Sequence, residues 1–154
     1  MEHPYKKLLL AIAINGIVMF FVMYAMLYSF DHFYLNINRL YMALMMVAPM
    51  VIVMLLVMAG MFPNKTANLT LHLVFLGLFV ASLVLARTQM PVGNVQFLRS
   101  MIPHHSSAIL MCEQASITDP EIKSLCGEII DSQRREIGEM KRLLSKYSPQ
   151  SNQH

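Results

Sequence analysis

The chain has 154 residues, of which 56% are hydrophobic and only 14% are charged. This composition is too apolar for an ordinary soluble domain, and the net charge of +3 does not suggest a nucleic-acid surface. Two cysteines are also too few for a fold held together by a disulfide framework.

The apolar residues are concentrated in the first 90 positions, where three runs are each long enough to cross a bilayer. A helical span needs about 20 apolar residues, at a rise of about 1.5 Å per residue. The runs extend from about Leu8 to Phe30, from about Leu40 to Phe62 and from about Leu69 to Ala86. We therefore predict an all-α protein with a membrane domain of three transmembrane helices in residues 1–90.

Three spans place the two ends of the chain on opposite sides of a membrane. Lys6, Lys7 and Lys65 then share one side, and Arg39 and Arg87 share the other. Because positive charge favours the cytoplasmic side, this small excess predicts a cytoplasmic N-terminus in the inner or plasma membrane. The C-terminal segment is then periplasmic or extracellular.

Several polar or sulfur-containing residues fall inside the predicted spans. Asn15 and His72 are functional candidates because polar groups inside a membrane are costly, although either could simply bridge two helices by a hydrogen bond. The second span has a methionine at every fourth position from Met42 to Met58. This spacing resembles a ladder for passing Cu(I), but four steps wrap about 160° around the helix, and methionine is also a good packing residue.

Residues 91–154 carry seven cations and seven anions and form the second predicted domain, an exported helical hairpin. Its amphipathic helices are predicted from about Asn94 to Ser116 and from about Pro120 to Lys146. The sequence Thr-Asp-Pro-Glu at 118–121 offers a capping oxygen and a proline in the first turn of the second helix. With a turn near residue 119, Cys112 should face Cys126, and His105 should face Gln133.

Residues 101–105 read Met-Ile-Pro-His-His and are the most informative stretch for function. A thioether and two imidazoles within one helical turn are side chains that a soft or borderline metal ion prefers. Helical phasing directs Met101 and His105 towards the second helix, while His104 lies on a flank beside Met111. Thioethers point to Cu(I) or its mimic Ag(I), with zinc as the alternative metal.

The second helix adds further candidate ligands near the level of Met101. Glu136 lies on an otherwise apolar stripe, where a buried carboxylate is costly unless it is paired or binds a metal. The alternative is that Glu136 lies in water at the edge of the seam. Met140 lies on the same stripe and supplies a second thioether.

Three other residues leave alternatives open. Cys112 and Cys126 could form a disulfide after export, act as additional soft ligands when reduced, or be two small buried hydrophobic residues. Pro103 either lies inside the first helix, where it removes the bond to the Arg99 carbonyl, or marks a helix that begins near Met101.

These residues occur in the order and at the spacing of a known family. Residues 94–144 resemble one repeat of the bacterial His-His-Met helical family known as domain of unknown function 305. The matching residues are Asn94, Phe97, Met101 to His105, Ala108, Ile109, Met111, Ile129, Ile130, Gln133, Glu136, Ile137 and Met140. Asn94 replaces the usual aspartate, and Cys112 and Cys126 stand where alanine is common.

The resemblance implies a ferritin-like four-helix bundle in exported proteins, some of which are implicated in copper and silver binding. The metal ligands carried over by the motif are Met101, His104, His105, Met111 and Met140. Many members have two such helix pairs and this chain has one. A single amphipathic hairpin cannot enclose its apolar seam, so we predict that two chains pair into a four-helix bundle.

The sequence therefore favours a membrane-anchored protein that binds Cu(I) or Ag(I) for storage, buffering or resistance. Its expected partners are a metal ion, membrane lipid and a second copy of the chain. The alternatives are a structural or partner-binding membrane module without a metal, and a redox enzyme or transporter that uses Met50 and Met54 along an internal path. No phosphate loop or catalytic triad pattern indicates an enzyme.

Overall fold

A computed structural model describes residues 3–147, and within that range the chain forms helices and no strands. The five α-helices are α1 (His3–Val22), α2 (Ile37–Val57), α3 (Lys65–Thr88), α4 (Asn94–Gln114) and α5 (Pro120–Ser145). Two short 3-10 turns lie at Phe30–His32 and Ala59–Met61. The all-α prediction is confirmed for the described residues.

Helices α1, α2 and α3 are the three predicted spans. Each is long and apolar enough to cross a membrane, over Pro4–Val22, Ile37–Val57 and Lys65–Thr88. The first helix ends well before the predicted limit at Phe30, because the segment that follows makes contacts of its own. The Tyr24 hydroxyl donates to the Tyr34 carbonyl at 2.8 Å.

The chain divides into two compact units that do not coincide with the predicted domain limits. One unit comprises Met1–Met23 and Asn38–Pro91, and the other comprises Tyr24–Ile37 and Val92–His154. The loop that joins α1 to α2 therefore belongs to the same unit as the C-terminal hairpin. The assignment of a membrane domain and an exported domain stays a prediction.

The first unit buries an apolar cluster contributed by its three long helices. The buried members are Tyr5, Leu8, Val47, Ala48, Val51, Leu55, Phe62 and Phe75. The Tyr5 hydroxyl ties the start of α1 to the start of α3, because it donates to Asn68 Oδ1 at 2.9 Å and accepts from the Asn64 N–H at 3.1 Å. Asn64 in turn caps α3 by accepting the Ala67 N–H at 3.0 Å.

The polar residues inside the spans differ in how they are satisfied. Asn15 Nδ2 donates to Met50 Sδ at 3.2 Å, so this side chain bridges α1 and α2. His72 Nδ1 donates to the Asn68 carbonyl one turn earlier in α3, at 2.7 Å. Its Nε2 is buried and has no hydrogen-bond partner among residues 3–147.

The regularly spaced methionines, which run from Met42 in α2 to Met58 just after it, do not share one face. Met42, Met46 and Met58 are exposed, whereas Met50 and Met54 are partly buried against the apolar cluster of the first unit. This distribution follows from helical geometry, since every step of four residues advances about 40° beyond a full turn.

Helices α4 and α5 form a hairpin whose limits agree with the prediction. It buries a second apolar cluster of Leu98, Ile102, Ile109, Ile137 and Met140. Helix α5 begins where the start signal indicates, because Asp119 accepts hydrogen bonds from the Glu121 and Ile122 N–H groups at 2.9 and 3.1 Å.

Replacing Asp119 with alanine should remove this cap and lower the free energy of unfolding by about 1 kcal/mol. Thermal unfolding of the full chain in detergent, followed by circular dichroism, measures the effect. Asp131→Ala is the matched control, because Asp131 is an exposed aspartate in the middle of α5. Equal midpoints for the two variants would contradict the capping role.

Candidate functional site

Helix α4 runs without interruption through the Met-Ile-Pro-His-His stretch, from Asn94 to Gln114. Of the two alternatives for Pro103, the structure has the proline inside the helix. Because proline lacks an N–H, the Arg99 carbonyl four residues earlier loses its usual helical partner.

The two histidines face different sides of α4. His105 is only 9% exposed and contacts α5, whereas His104 is exposed, as is Met111. The centroids of the two imidazole rings are 6.0 Å apart. This arrangement is the one that helical phasing predicts.

Both ring nitrogens of His105 face hydrogen-bond acceptors. Nδ1 donates to the Met101 carbonyl at 2.9 Å, and Nε2 lies 2.8 Å from Glu136 Oε2 on α5. A carbonyl and a carboxylate only accept hydrogen bonds, so each ring nitrogen faces an acceptor. Any ligand that approached Nε2 would have to displace the Glu136 carboxylate.

Glu136 is also held by its second carboxylate oxygen, which accepts the Ser132 hydroxyl at 2.7 Å. This bond is the main reason that the pKa of Glu136 lies below its ordinary value. Partial burial raises the pKa, and the contacts with His105 lower it again. The side chain is 45% exposed. Glu136 therefore lies at the edge of the seam, paired with His105 one turn beyond the predicted partner Gln133.

Two thioethers lie about one helical turn away from this pair. Met140 is buried in the apolar cluster of the hairpin, and Met101 is partly buried against the same cluster. Together with the His105 imidazole they form a set of soft and borderline donors. This chemistry fits Cu(I) better than Zn²⁺, which prefers thiolate, imidazole and carboxylate ligands.

Cys112 and Cys126 form a disulfide between α4 and α5. Their Cα atoms are 5.4 Å apart, a separation that suits a bridge. Of the three alternatives left open by the sequence, the structure has this one. In the bridged state neither sulfur is a thiolate, so neither acts as an additional soft ligand.

The eight predicted ligands thus fall into three groups. The inner group is Met101, His105, Glu136 and Met140; the outer pair is His104 and Met111; the bridged pair is Cys112 and Cys126. Over residues 3–147, no three His, Cys, Asp or Glu side chains come together as a metal-holding group. A site in the inner group therefore depends on its thioethers, and the ligand assignment itself stays a prediction.

The sequence prediction missed the contacts made by residues 24–37. The sequence gives His32 no special role, but its ring is buried, with Nδ1 2.9 Å from the Ser106 Oγ. The same Oγ accepts the Tyr28 N–H at 2.9 Å. A weak signal was available, because Ser106 directly follows the histidine pair and a buried hydroxyl needs partners.

Charged groups surround the buried His32 ring. Burial lowers the pKa of His32; the nearby Asp31 carboxylate opposes this effect, and Lys141 adds to it. Asp31 itself forms an ion pair with Lys141. That hydrogen bond, with a further one from Ser29, lowers the pKa of Asp31 to about 2.

Comparison with known proteins gives a family match that begins at the first residue of α4. Residues 94–154 match the family described as a domain of unknown function, DUF305. This match confirms the predicted family resemblance for the C-terminal segment. The last seven matched positions, 148–154, lie outside the described residues.

One similar protein is the "Uncharacterized protein L153" of Acanthamoeba polyphaga mimivirus, which is 45% identical over 62 residues. The aligned part covers 39% of this chain and 41% of the viral protein. The similarity is therefore confined to less than half of either chain. No solved structure matches the chain.

The disulfide predicts that maleimide labels neither cysteine in unfolded, unreduced protein and labels both after reduction. The bridged positions are 14 apart, and losing a crosslink over a loop of that size should cost about 3 kcal/mol of stability. A Cys112→Ser/Cys126→Ser variant should therefore unfold at a lower temperature than the oxidised protein and close to the reduced one. Labelling without reductant would contradict the bridge.

The Asp31–Lys141 ion pair predicts a pH-dependent contribution to stability. Because the pKa of Asp31 is lowered from 3.8 to about 2, the pair stabilises the fold above about pH 4 and is lost as the pH falls to about 2. The contribution is small, since the carboxylate is 62% exposed. The unfolding midpoints of wild type and Asp31→Asn should differ at pH 7 and converge at pH 2, with Asp131→Asn as control. A difference that is independent of pH would rule the pair out as its source.

Proposed function

We propose that this protein is a membrane-anchored Cu(I)-binding protein that also accepts Ag(I) and acts in metal storage, buffering or resistance. The proposal rests on one observation: Met101 and Met140 belong to the same apolar cluster of the hairpin, and His105, one helical turn after Met101, pairs with Glu136 on the helix that carries Met140. Thioethers and imidazole are donors that retain Cu(I) and compete poorly for harder ions. The proposed role is binding, with no catalytic step.

Binding at the inner group requires an exchange at His105. The carboxylate of Glu136 lies 2.8 Å from Nε2, where the metal ion would have to bind. Glu136 has a second bond from the Ser132 hydroxyl and is partly exposed, so it can turn towards water when the ion takes its place. The imidazole then offers its lone pair beside two thioethers that already lie in an apolar, water-poor cluster.

The proposed location of the hairpin is outside the cytoplasm. Three spans would put residues 24–37 and the C-terminal segment on the same side of a membrane, and these two segments belong to one compact unit. The Cys112–Cys126 bridge is typical of an oxidising compartment. Both observations support a periplasmic or extracellular hairpin, in agreement with the lysine-rich N-terminal side.

Pairing of two copies is the second part of the proposal. The hairpin carries four apolar side chains that are at least 50% exposed: Phe97, Met111, Ile122 and Leu125. Two hairpins that cover these side chains form a four-helix bundle of the ferritin-like kind. His104 and Met111 would then approach their counterparts in the second copy and extend the set of donors.

The contacts of His105 favour a second candidate function, because both of its ring nitrogens already have hydrogen-bond partners. Its two hydrogen bonds, to Met101 and Glu136, could serve only to organise the hairpin in a structural or partner-binding membrane module. Thermal unfolding with and without Cu(I) or Zn²⁺ separates the two functions. A tight site adds about 2.7 kcal/mol of stability at a metal concentration 100 times the Kd, whereas an unchanged midpoint favours the structural module.

The metal site is tested by titrating the full chain in detergent with Cu(I), kept reduced by ascorbate, against a competing chelator. Replacing Met101, His104, His105 and Met140 together should weaken binding by at least about 100-fold, since His104 and three of the four members of the inner group are lost. Replacing the exposed Met46 of α2 and the exposed Met58 just after α2 with leucine should leave the affinity unchanged.

Two results would contradict the proposal. Unchanged affinity after the fourfold replacement would show that these donors do not hold the ion. A loss of binding in the Met46 and Met58 variant alone would instead assign the metal to the sulfur-rich second span.

A further inference from the structure

We infer that residues 24–37 are a clamp that fixes the part of α4 carrying His104 and His105, with Asn36 and Ser106 as its principal contacts. These are positioning residues, which act on the metal ligands through the helix backbone. Only the consequence for metal affinity rests on the proposed function, because the clamp itself is a property of the metal-free chain.

The first contact replaces the helical hydrogen bond that the Arg99 carbonyl lacks because of Pro103. The Arg99 carbonyl has lost its partner four residues later, and a backbone carbonyl inside a folded unit needs a replacement. Asn36 is buried, and its Nδ2 donates to the Arg99 carbonyl at 3.5 Å and to the Tyr34 carbonyl at 3.0 Å. The loop thereby helps α4 to continue through a proline.

The second contact lies immediately after the histidine pair. Ser106 is 0% exposed, and its hydroxyl lies 2.9 Å from two groups of the loop, the Tyr28 N–H and the His32 Nδ1. Removing the hydroxyl would leave a buried imidazole nitrogen and a backbone N–H without this partner, which is costly. Ser106 is therefore held in one position by two independent bonds.

Further contacts attach the same loop to α5. Asp31 pairs with Lys141, and the Arg134 guanidinium lies 5.8 Å from the centre of the Tyr28 ring. Arg134 also pairs with Glu113 of α4 at 2.7 Å. The clamp thus reaches both helices that carry the inner group.

The two principal contacts bracket the histidines, with Asn36 acting at residue 99 and the loop acting again at Ser106. Ligands on two helices bind a metal tightly only when both backbones are held, and loss of such outer support typically costs about 10–100-fold in affinity. The metal-binding unit should therefore include residues 24–37, although the family match begins at residue 94.

Hydrogen–deuterium exchange of the full, metal-free chain in detergent tests the clamp. Asn36→Ala and Ser106→Ala should each speed exchange of the amides in residues 99–106 by about tenfold, because each leaves a buried group unpaired. Ser107→Ala is the matched control, since the Ser107 hydroxyl bonds the Pro103 carbonyl of its own helix at 3.0 Å. Exchange equal to wild type in all three variants overturns the clamp.

A milder pair of variants keeps the test decisive if Ser106→Ala does not fold. His32→Leu should speed exchange in residues 99–106, whereas His32→Asn should not, because its amide keeps a polar atom near the Nδ1 position. Equal exchange in these two variants also overturns the clamp.

Competitive Cu(I) titration of the same variants then tests the positioning role. Asn36→Ala and Ser106→Ala should weaken binding by about tenfold or more, and Ser107→Ala should bind like wild type. Faster exchange with unchanged affinity overturns the positioning role and leaves the proposed function standing. A wild-type chain that binds no Cu(I) overturns the proposed function and the positioning role together, while the exchange data still decide whether the clamp exists.

Discussion

The hydrogen bond between His105 Nε2 and Glu136 joins α4 and α5 at the level where the soft donors lie. The His105 imidazole is buried in an otherwise apolar seam, where it is costly without a partner, and the partly exposed Glu136 at the edge of the seam supplies that partner. The bond also occupies the nitrogen that a metal would need. The contact that joins the two helices therefore involves the same nitrogen that the proposed metal site would use.

Pro103 imposes the second constraint on this arrangement. It sits between the sulfur and the imidazoles of the motif, where it deprives the Arg99 carbonyl of its helical bond. The side chain of Asn36, from a distant part of the sequence, donates a hydrogen bond to this carbonyl instead. A motif that looks local in the sequence is thus completed by the loop between the first two long helices.

The helices and the directions of their side chains could be predicted because these signals are local. Apolar runs, the cap at Asp119 and the periodicity of α4 act over a few residues, and they gave the orientation of His105 and His104. The predicted partner of His105 was Gln133, and the observed partner is Glu136, about one turn further along α5. This difference arises because the residues that face each other depend on how the two helices pack. The contacts of His32 and Asn36 span 74 and 63 positions, and no local pattern contains them.

The second unit is assembled from two stretches of chain that are made at different times. Residues 24–37 leave the ribosome before α4 exists, and α2 and α3 must be synthesised in between. Until then the side chains of His32 and Asn36 have neither Ser106 nor the Arg99 carbonyl to bond. Completion of these contacts is thus a late event in the life of the chain, because it follows the synthesis of both stretches.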